Sequence, residues 1–369
     1  MKKMKILQVI TIGHELYGAQ KHVLDLCVLL KKNGHEVMVA TGTAGTLTDL
    51  LDEESIPFKI FTSLVHPINP GKDVKFVKDL ISFLKTYQPD LVASHSSKAG
   101  LLSRIACRRA KMPNTFTSHG WSFEGGIPFV KRMVFLTAER AAGRISDGII
   151  TVAEAGREYG LQKKVAKAAK IVTIHNGVED IAGQYEIVKN DRFTITMVAG
   201  LRPQKDHFTL IEALGKVKHL DWEVFFLGDG PLMEVLSEKT TALDLTDRIH
   251  FKGAVSNVGD YLCRSHLLTL ITNWEGFPIS ILEGLSFGLP ILATDVAGVK
   301  EQVIDDYNGI TVPPKDIDAV ANALELMMKS PEKLAEMGRN SRELFEQRFT
   351  REAMYKKTVA LYYNLINKA

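Results

Sequence analysis

Short apolar runs alternate with helical stretches along this chain, and they do so in two series separated by one lapse between Gly177 and Asp191. The first series has strand-like runs at Lys5–Ile10, Glu36–Ala40, Asp90–Ser94, Thr115–Ser118 and Gly148–Val152. The second has them at Phe193–Ala199, Glu223–Leu227, Ile249–Phe251, Leu267–Ile271 and Ile291–Thr294. A strand that is apolar on both sides and followed by a helix belongs in a parallel sheet covered on both faces. The pattern therefore predicts an α/β protein of two doubly wound, Rossmann-like parallel-sheet domains, residues 1–180 and 181–352. At 369 residues the chain exceeds what one core usually holds, which agrees with two domains. Such sheets bind ligands at the carboxyl ends of their strands, so two facing domains would enclose an interdomain cleft.

Composition excludes several alternatives. With 45% hydrophobic and 24% charged residues the chain resembles an ordinary globular protein. No apolar run reaches the roughly 18 residues of a membrane span, and residues 1–10 lack a signal-peptide pattern, so a cytoplasmic location is expected. Cys27, Cys107 and Cys263 are too scattered for a disulfide framework or a zinc site. Neither a metal nor a cofactor is expected. The first 180 residues carry 25 Lys plus Arg against 17 Asp plus Glu, or +8, while the remainder stands at −5. That half of the chain is suited to an anionic partner, or simply carries a solvated basic face.

The stretch Thr272–Pro290 (TNWEGFPISILEGLSFGLP) is the most informative. An apolar strand gives way to Glu275-Gly276-Phe277-Pro278 and then to a short helix holding Glu283, with Pro278 suited to its first position and Gly288-Leu289-Pro290 to its end. Free backbone N–H groups around Phe277, Ile279 and Ile281 would form an anion site. Glu275 and Glu283 would flank it and accept from hydroxyls. Upstream, Gly200-Leu201-Arg202-Pro203-Gln204-Lys205 places two cations at a strand end, where two phosphates could be met by a fork and a point charge. Gly228-Asp229-Gly230 and Phe251-Lys252-Gly253 are loops on the same edge. In the first series, Gly13–Gln20 is a glycine-bearing loop ahead of a helix. His95-Ser96-Ser97-Lys98 and Ser118-His119-Gly120 end two strands, and Arg104, Arg108 and Arg109 follow on a helix, to meet an acceptor phosphate or face solvent. No Gly-x-Gly-x-x-Gly follows the first strand of either domain, which disfavours dinucleotide chemistry.

Together these residues resemble the glycosyltransferase B-type fold, and within it the retaining transferases of glycosyltransferase family 4, of the kind that assemble bacterial surface polysaccharides. The most specific element is Glu275 and Glu283 with seven residues between them. Arg202 with Lys205, Gly228-Asp229-Gly230-Pro231, Asn176-Gly177-Val178, Gly298 with Glu301, and Asn308-Gly309 support it. The resemblance implies that Glu283 binds the nucleotide ribose, Glu275 the donor-sugar hydroxyls, and Arg202 with Lys205 the diphosphate. It puts the base near Phe251, Lys252 and Gly253, lets Gly18 bring the first loop to the phosphates, and sets His119 beside the reacting carbon. Gly200, Gly228, Gly230, Gly276, Phe277, Pro278 and Ile279 complete the expected donor site, and His95 and Lys98 the acceptor side. It also implies that a C-terminal helix, residues 353–369, crosses back onto the first domain. The sequence departs from the family pattern at Tyr17 and Gln20 in the first loop and at His175.

The expected reaction is transfer of a hexose or N-acetylhexosamine from a nucleotide diphosphate sugar, UDP-linked by preference, with retention of configuration. The basic and apolar residues of 127–144 suit either a core helix with basic ends or an interfacial helix on an anionic membrane. On the second reading the protein is peripheral at the inner face of the plasma membrane and its acceptor is a polyprenyl-diphosphate-linked sugar or growing polysaccharide. No nucleic-acid partner is expected. The alternatives are a sugar-nucleotide 2-epimerase of the same architecture and a non-catalytic nucleotide-sugar binding module.

Overall fold

A computed structural model describes residues 2–14 and 16–368. Met1, Ala369, and Glu15 of the expected 13–20 loop lie outside the described residues. The chain forms two compact units, Met1–Gly177 with Arg351–Ala369, and Val178–Thr350. The division falls at 177/178 rather than 180/181, because Val178 donates its N–H to Phe349 O at 3.0 Å and pairs with Thr350. That bond ties the outgoing chain to the second unit.

The first unit is built on strands β1 (Lys5–Ile10), β2 (Glu36–Thr41), β3 (Phe58–Ile60), β4 (Leu91–His95), β5 (Asn114–Ser118), β6 (Gly148–Thr151) and β7 (Ile171–Thr173). All pair in parallel, in the order β3-β2-β1-β4-β5-β6-β7. Its helices are α1 (Gly18–Lys32), α2 (Thr46–Glu53), α3 (Pro70–Tyr87), α4 (Ser97–Ala110), α5 (Phe129–Ile145) and α6 (Glu154–Gln162). The second unit holds β8 (Phe193–Val198), β9 (Trp222–Leu227), β10 (Ile249–Phe251), β11 (Leu267–Leu270), β12 (Ile291–Thr294) and β13 (Gly309–Val312), in the order β10-β9-β8-β11-β12-β13. Its helices are α7 (His207–Lys216), α8 (Met233–Ala242), α9 (Gly259–Leu262), α10 (Ile279–Ser286), α11 (Ile317–Lys329) and α12 (Pro331–Arg348). Both sheets follow the doubly wound order, so the chain reverses direction beside β1/β4 and again beside β8/β11. Crevices at those two points are where such sheets take ligands.

Continuous apolar strands explain the parallel sheets. Ile6 and Ile10 pack toward α1, while Leu7 and Val9 pack toward α3 and α4, so β1 is buried on both faces. The last helix, α13 (Arg351–Ile366), returns to the first unit and buries Met354, Tyr355, Thr358, Val359 and Tyr362 beside α1 residues such as Val23 and Leu26. In α10 the helix begins one residue later than the sequence predicts: Pro278 is the extended N-cap, with φ −64° and ψ 123°. The end matches expectation. Gly288, at φ +62°, accepts the left-handed turn, while its N–H and that of Leu289 bond back to Leu285 and Gly284 at 3.0 Å.

Candidate active site

In the second unit, three loops leave the carboxyl edge of β8, β9 and β10 and are hydrogen-bonded to one another. Ala199 N–H bonds Leu227 O at 2.9 Å, Leu201 N–H bonds Asp229 O at 3.0 Å, and Gly228 N–H bonds Gly253 O at 2.8 Å. Glycine is required here for packing: a Cβ on Gly228 would lie 2.2 Å from Ala199 O, and one on Gly230 would lie 2.4 Å from Leu201 O. Gly200, Gly228, Gly230, Phe251, Lys252 and Gly253 therefore form one continuous edge. Phe251 leans on Phe226 with ring centroids 5.3 Å apart, and the Lys252 ammonium lies 5.4 Å from the Phe225 ring centroid.

Across the β8/β11 switch point, Lys205 reaches Glu275. The ammonium bonds the carboxylate Oε1, and Thr272 Oγ1 donates to the same oxygen at 2.9 Å. These side chains are largely buried, with 19% of Lys205 and 7% of Glu275 exposed. The turn is held from outside as well: Gln204 Nε2 donates to Trp274 O at 2.7 Å, and Asn273 N–H to Gln204 O at 2.8 Å. Lys205, expected to meet a phosphate, thus also holds Glu275. Arg202 sits exposed at the lip of the same loop.

Gly276, Phe277, Pro278 and Ile279 lead into α10, which starts without a side-chain cap. Phe277 offers only backbone, since its ring is buried against Phe349 at a 5.7 Å centroid distance. Pro278 O accepts from Gln302 Nε2 at 3.0 Å. Gly298, at φ +80°, lets the turn after β12 close on Gly276, whose carbonyl oxygen would stand 1.9 Å from an added Cβ. Glu283 is half-buried on α10.

In the first unit, Gly18 is the first residue of α1. A cavity of about 660 Å³ is lined by Ser96, Lys98, His119, Lys131, Val134 and Phe135, among others. Ser96 stands between β4 and α4 at φ +63°, a strained value for a side-chain-bearing residue, and its hydroxyl bonds Thr11 Oγ1 at 2.7 Å across the switch point. Lys98 lines the cavity with its ammonium held by Asp73 at 2.7 Å, which offsets the charge expected to meet an acceptor. His95, also expected there, is fully buried and reaches the cavity only through His119, whose Nε2 lies 3.2 Å from its Nδ1. Arg104 overturns both of its expected roles. It is completely buried, pairs with Glu139 at 2.8 Å and stacks on Phe116 at 4.3 Å. Its Nε also donates to Gly100 O at 2.8 Å, so the buried guanidinium is satisfied from within and the residue belongs to the core.

One residue escaped the sequence reading. His22, on the buried face of α1, meets both other imidazoles, with ring centroids 4.9 Å from His119 and 5.4 Å from His95. Burial lowers its pKa to about 4, against a hydrogen bond to Asn176. Burial likewise holds His95 and His119 well below the usual range, and the neighbouring rings add to the effect. In sequence, nothing but its place in the apolar stripe of α1 marked His22.

Two Rossmann-ordered units, the second carrying an acid–base pair and an uncapped helix start at its switch point, define a glycosyltransferase of the B-type fold. Residues 179–344 match the family model described as glycosyl transferases group 1, and residues 17–180 the model described as glycosyltransferase family 4. The chain is 30% identical over 326 residues, 84% of each chain, to the Escherichia coli UDP-Gal:alpha-D-GlcNAc-diphosphoundecaprenol alpha-1,3-galactosyltransferase. Among solved structures it resembles a glycosyltransferase from Rickettsia africae, at TM-score 0.86 and 20% identity over all of both chains. Anabaena HepE in complex with UDP and glucose superposes at TM-score 0.83 with 21% identity, covering 98% of this chain and 100% of that one. The chain belongs to glycosyltransferase family 4, and it is a glycosyltransferase.

Proposed function

We propose that this transferase moves a hexose or N-acetylhexosamine from a UDP-sugar to a polyprenyl-diphosphate-linked sugar, with retention of configuration, in the assembly of a surface polysaccharide. The observation that carries the acceptor reading is the cavity in the first unit. His119 lines it, and beside it α5 exposes Phe129, Val130 and Val134 at 72%, 75% and 58%, interleaved with Lys131 and Arg132. An apolar and basic rim suits a lipid diphosphate at an anionic membrane surface, which here is the inner face of the plasma membrane. The E. coli relative acts on a diphosphoundecaprenol-linked sugar, which agrees with this reading. The epimerase alternative gains nothing, since both family models describe transferases.

For the donor, Glu283 takes the ribose hydroxyls and Glu275 the sugar hydroxyls. Arg202 and the α10 N-terminus stabilise charge on the departing diphosphate, where a single donor of this kind is worth about 10²–10³ in rate. Lys205 acts by holding the Glu275 carboxylate in place. The leaving phosphate helps deprotonate the acceptor hydroxyl on the front face, and no metal takes part in that step. The UDP complex of HepE supports the choice of nucleotide.

Calorimetric titration with UDP, GDP and their sugar conjugates tests the reading, on wild type and Glu283→Ala. The expected result is selective binding of UDP and one UDP-sugar that is lost in the variant, with release of UDP only when a lipid-diphosphate sugar is added. Failure of every nucleotide to bind wild type at millimolar concentration would overturn it.

A further inference from the structure

We propose that His22, His95 and His119 form a binding site for a borderline divalent transition ion such as Zn²⁺, set in the first unit at the wall of the cavity. The residues come from three elements that the sheet order brings together: the first turns of α1, the last residue of β4 and the residue after β5. One nitrogen from each ring lies within 4.8 Å of the other two. The rings form a nearly equilateral triangle, with centroids 4.9, 5.4 and 5.4 Å apart.

Those spacings are the ones a tetrahedral ion imposes. With Zn–N bonds of about 2.05 Å, ligand nitrogens stand about 3.3 Å apart and the ring centroids about 5.2 Å apart. His95 Nδ1 and His119 Nε2 are already at 3.2 Å. The third nitrogen, within 4.8 Å of both, has at most about 1.5 Å to close on binding.

The outer nitrogens are also set as a metal site requires. His95 Nε2 lies 2.8 Å from Gln8 Oε1, and His22 Nδ1 lies 3.0 Å from Asn176 Oδ1. Donation to these amide oxygens turns each ring so that its other nitrogen faces its neighbours, and such partners orient ligating imidazoles generally. On binding, the ion takes the place of the proton between His95 Nδ1 and His119 Nε2, and His119 carries that proton on its own Nδ1. Among the described residues no carboxylate belongs to the cluster. A neutral set of three imidazoles suits Zn²⁺, Co²⁺, Ni²⁺ or Cu²⁺ and disfavours Mg²⁺ or Ca²⁺. With three protein ligands, a fourth position stays open for water on the cavity side, which the half-buried His119 lines. An ion here engages His119, so it regulates the site by competing with any sugar hydroxyl for that ring.

The test needs no transferase assay and stands whether or not the proposed acceptor is correct. Full-length protein freed of metal with a chelator is titrated with cobalt chloride and, by calorimetry, with zinc chloride. The expected result is the visible absorption of four-coordinate Co²⁺ saturating at one equivalent, with Zn²⁺ displacing it. Asn176→Leu is expected to weaken binding by about 10–100-fold. His22→Phe, which keeps an aromatic ring in the core and whose fold is checked by circular dichroism, is expected to lose the absorption altogether. Absence of four-coordinate Co²⁺ absorption in wild type, or a folded His22→Phe protein that binds as wild type does, overturns the proposal.

Discussion

Replacing Lys205 by Met should destabilise the second unit more than removing both members of its ion pair. The lysine and Glu275 are 19% and 7% exposed, so each has left most of its water behind. At a contact of about 3 Å and an effective dielectric near 20, their attraction is about 5 kcal/mol, comparable to the desolvation it offsets. Lys205→Met removes the attraction and leaves a buried carboxylate with Thr272 Oγ1, at 2.9 Å, as the remaining described donor to that oxygen. The cost should be about 3 kcal/mol, within the range for breaking one side of a buried pair. Glu275→Gln keeps shape and the Thr272 bond, so it should cost about 1–2 kcal/mol. The double variant should lose about 2 kcal/mol less than the sum of the singles. Hydrogen exchange of peptides spanning β8 and β11 reads this locally, without requiring both units to unfold together. Single effects that add to within about 0.5 kcal/mol would refute the reasoning, because they would mean that solvent already screens the pair.

Three further outcomes follow from the geometry. Gly298→Ala places a Cβ 1.9 Å from Gly276 O at φ +80°, so it should destabilise the second unit by at least about 2 kcal/mol and weaken UDP binding in calorimetry, whereas Gly183→Ala, with nothing within 4 Å, should do neither. His207 is buried and its pKa is lowered to about 4 by that burial, against a hydrogen bond to Lys205 O. The unfolded chain takes up its proton near pH 6.5, before the folded one does, so this residue's contribution is lost as pH falls from about 6.5 to about 4. The loss is on the order of 3 kcal/mol, and His207→Leu should flatten the urea-measured stability profile by that amount in that window. Phe129→Glu with Val130→Glu removes two residues that are 72% and 75% exposed, so it should abolish cosedimentation with vesicles containing anionic lipid while leaving thermal stability within about 0.5 kcal/mol.

What the sequence determined by itself is what short stretches encode. The runs from Lys5 and Phe193 read as buried parallel strands because their apolar character is continuous, and Gly288 ends α10 because glycine takes φ +62° without steric cost. The Glu275–Glu283 spacing carried the family resemblance in the sequence itself. Edge strands β3, β7 and β13, of three or four residues, escaped notice, since one-sided pairing places little demand on composition. Tertiary structure alone decided partners. It turned Arg104 inward to Glu139, gave Lys205 to Glu275, and joined His22 to Asn176 across 154 residues and Gln8 to His95 across 87. The reason is physical: a strand's period and a turn's dihedral are set by neighbours in the chain. Which strand ends meet at a switch point is set by the winding of the whole sheet, and there the imidazoles, carboxylates and ammonium groups find one another.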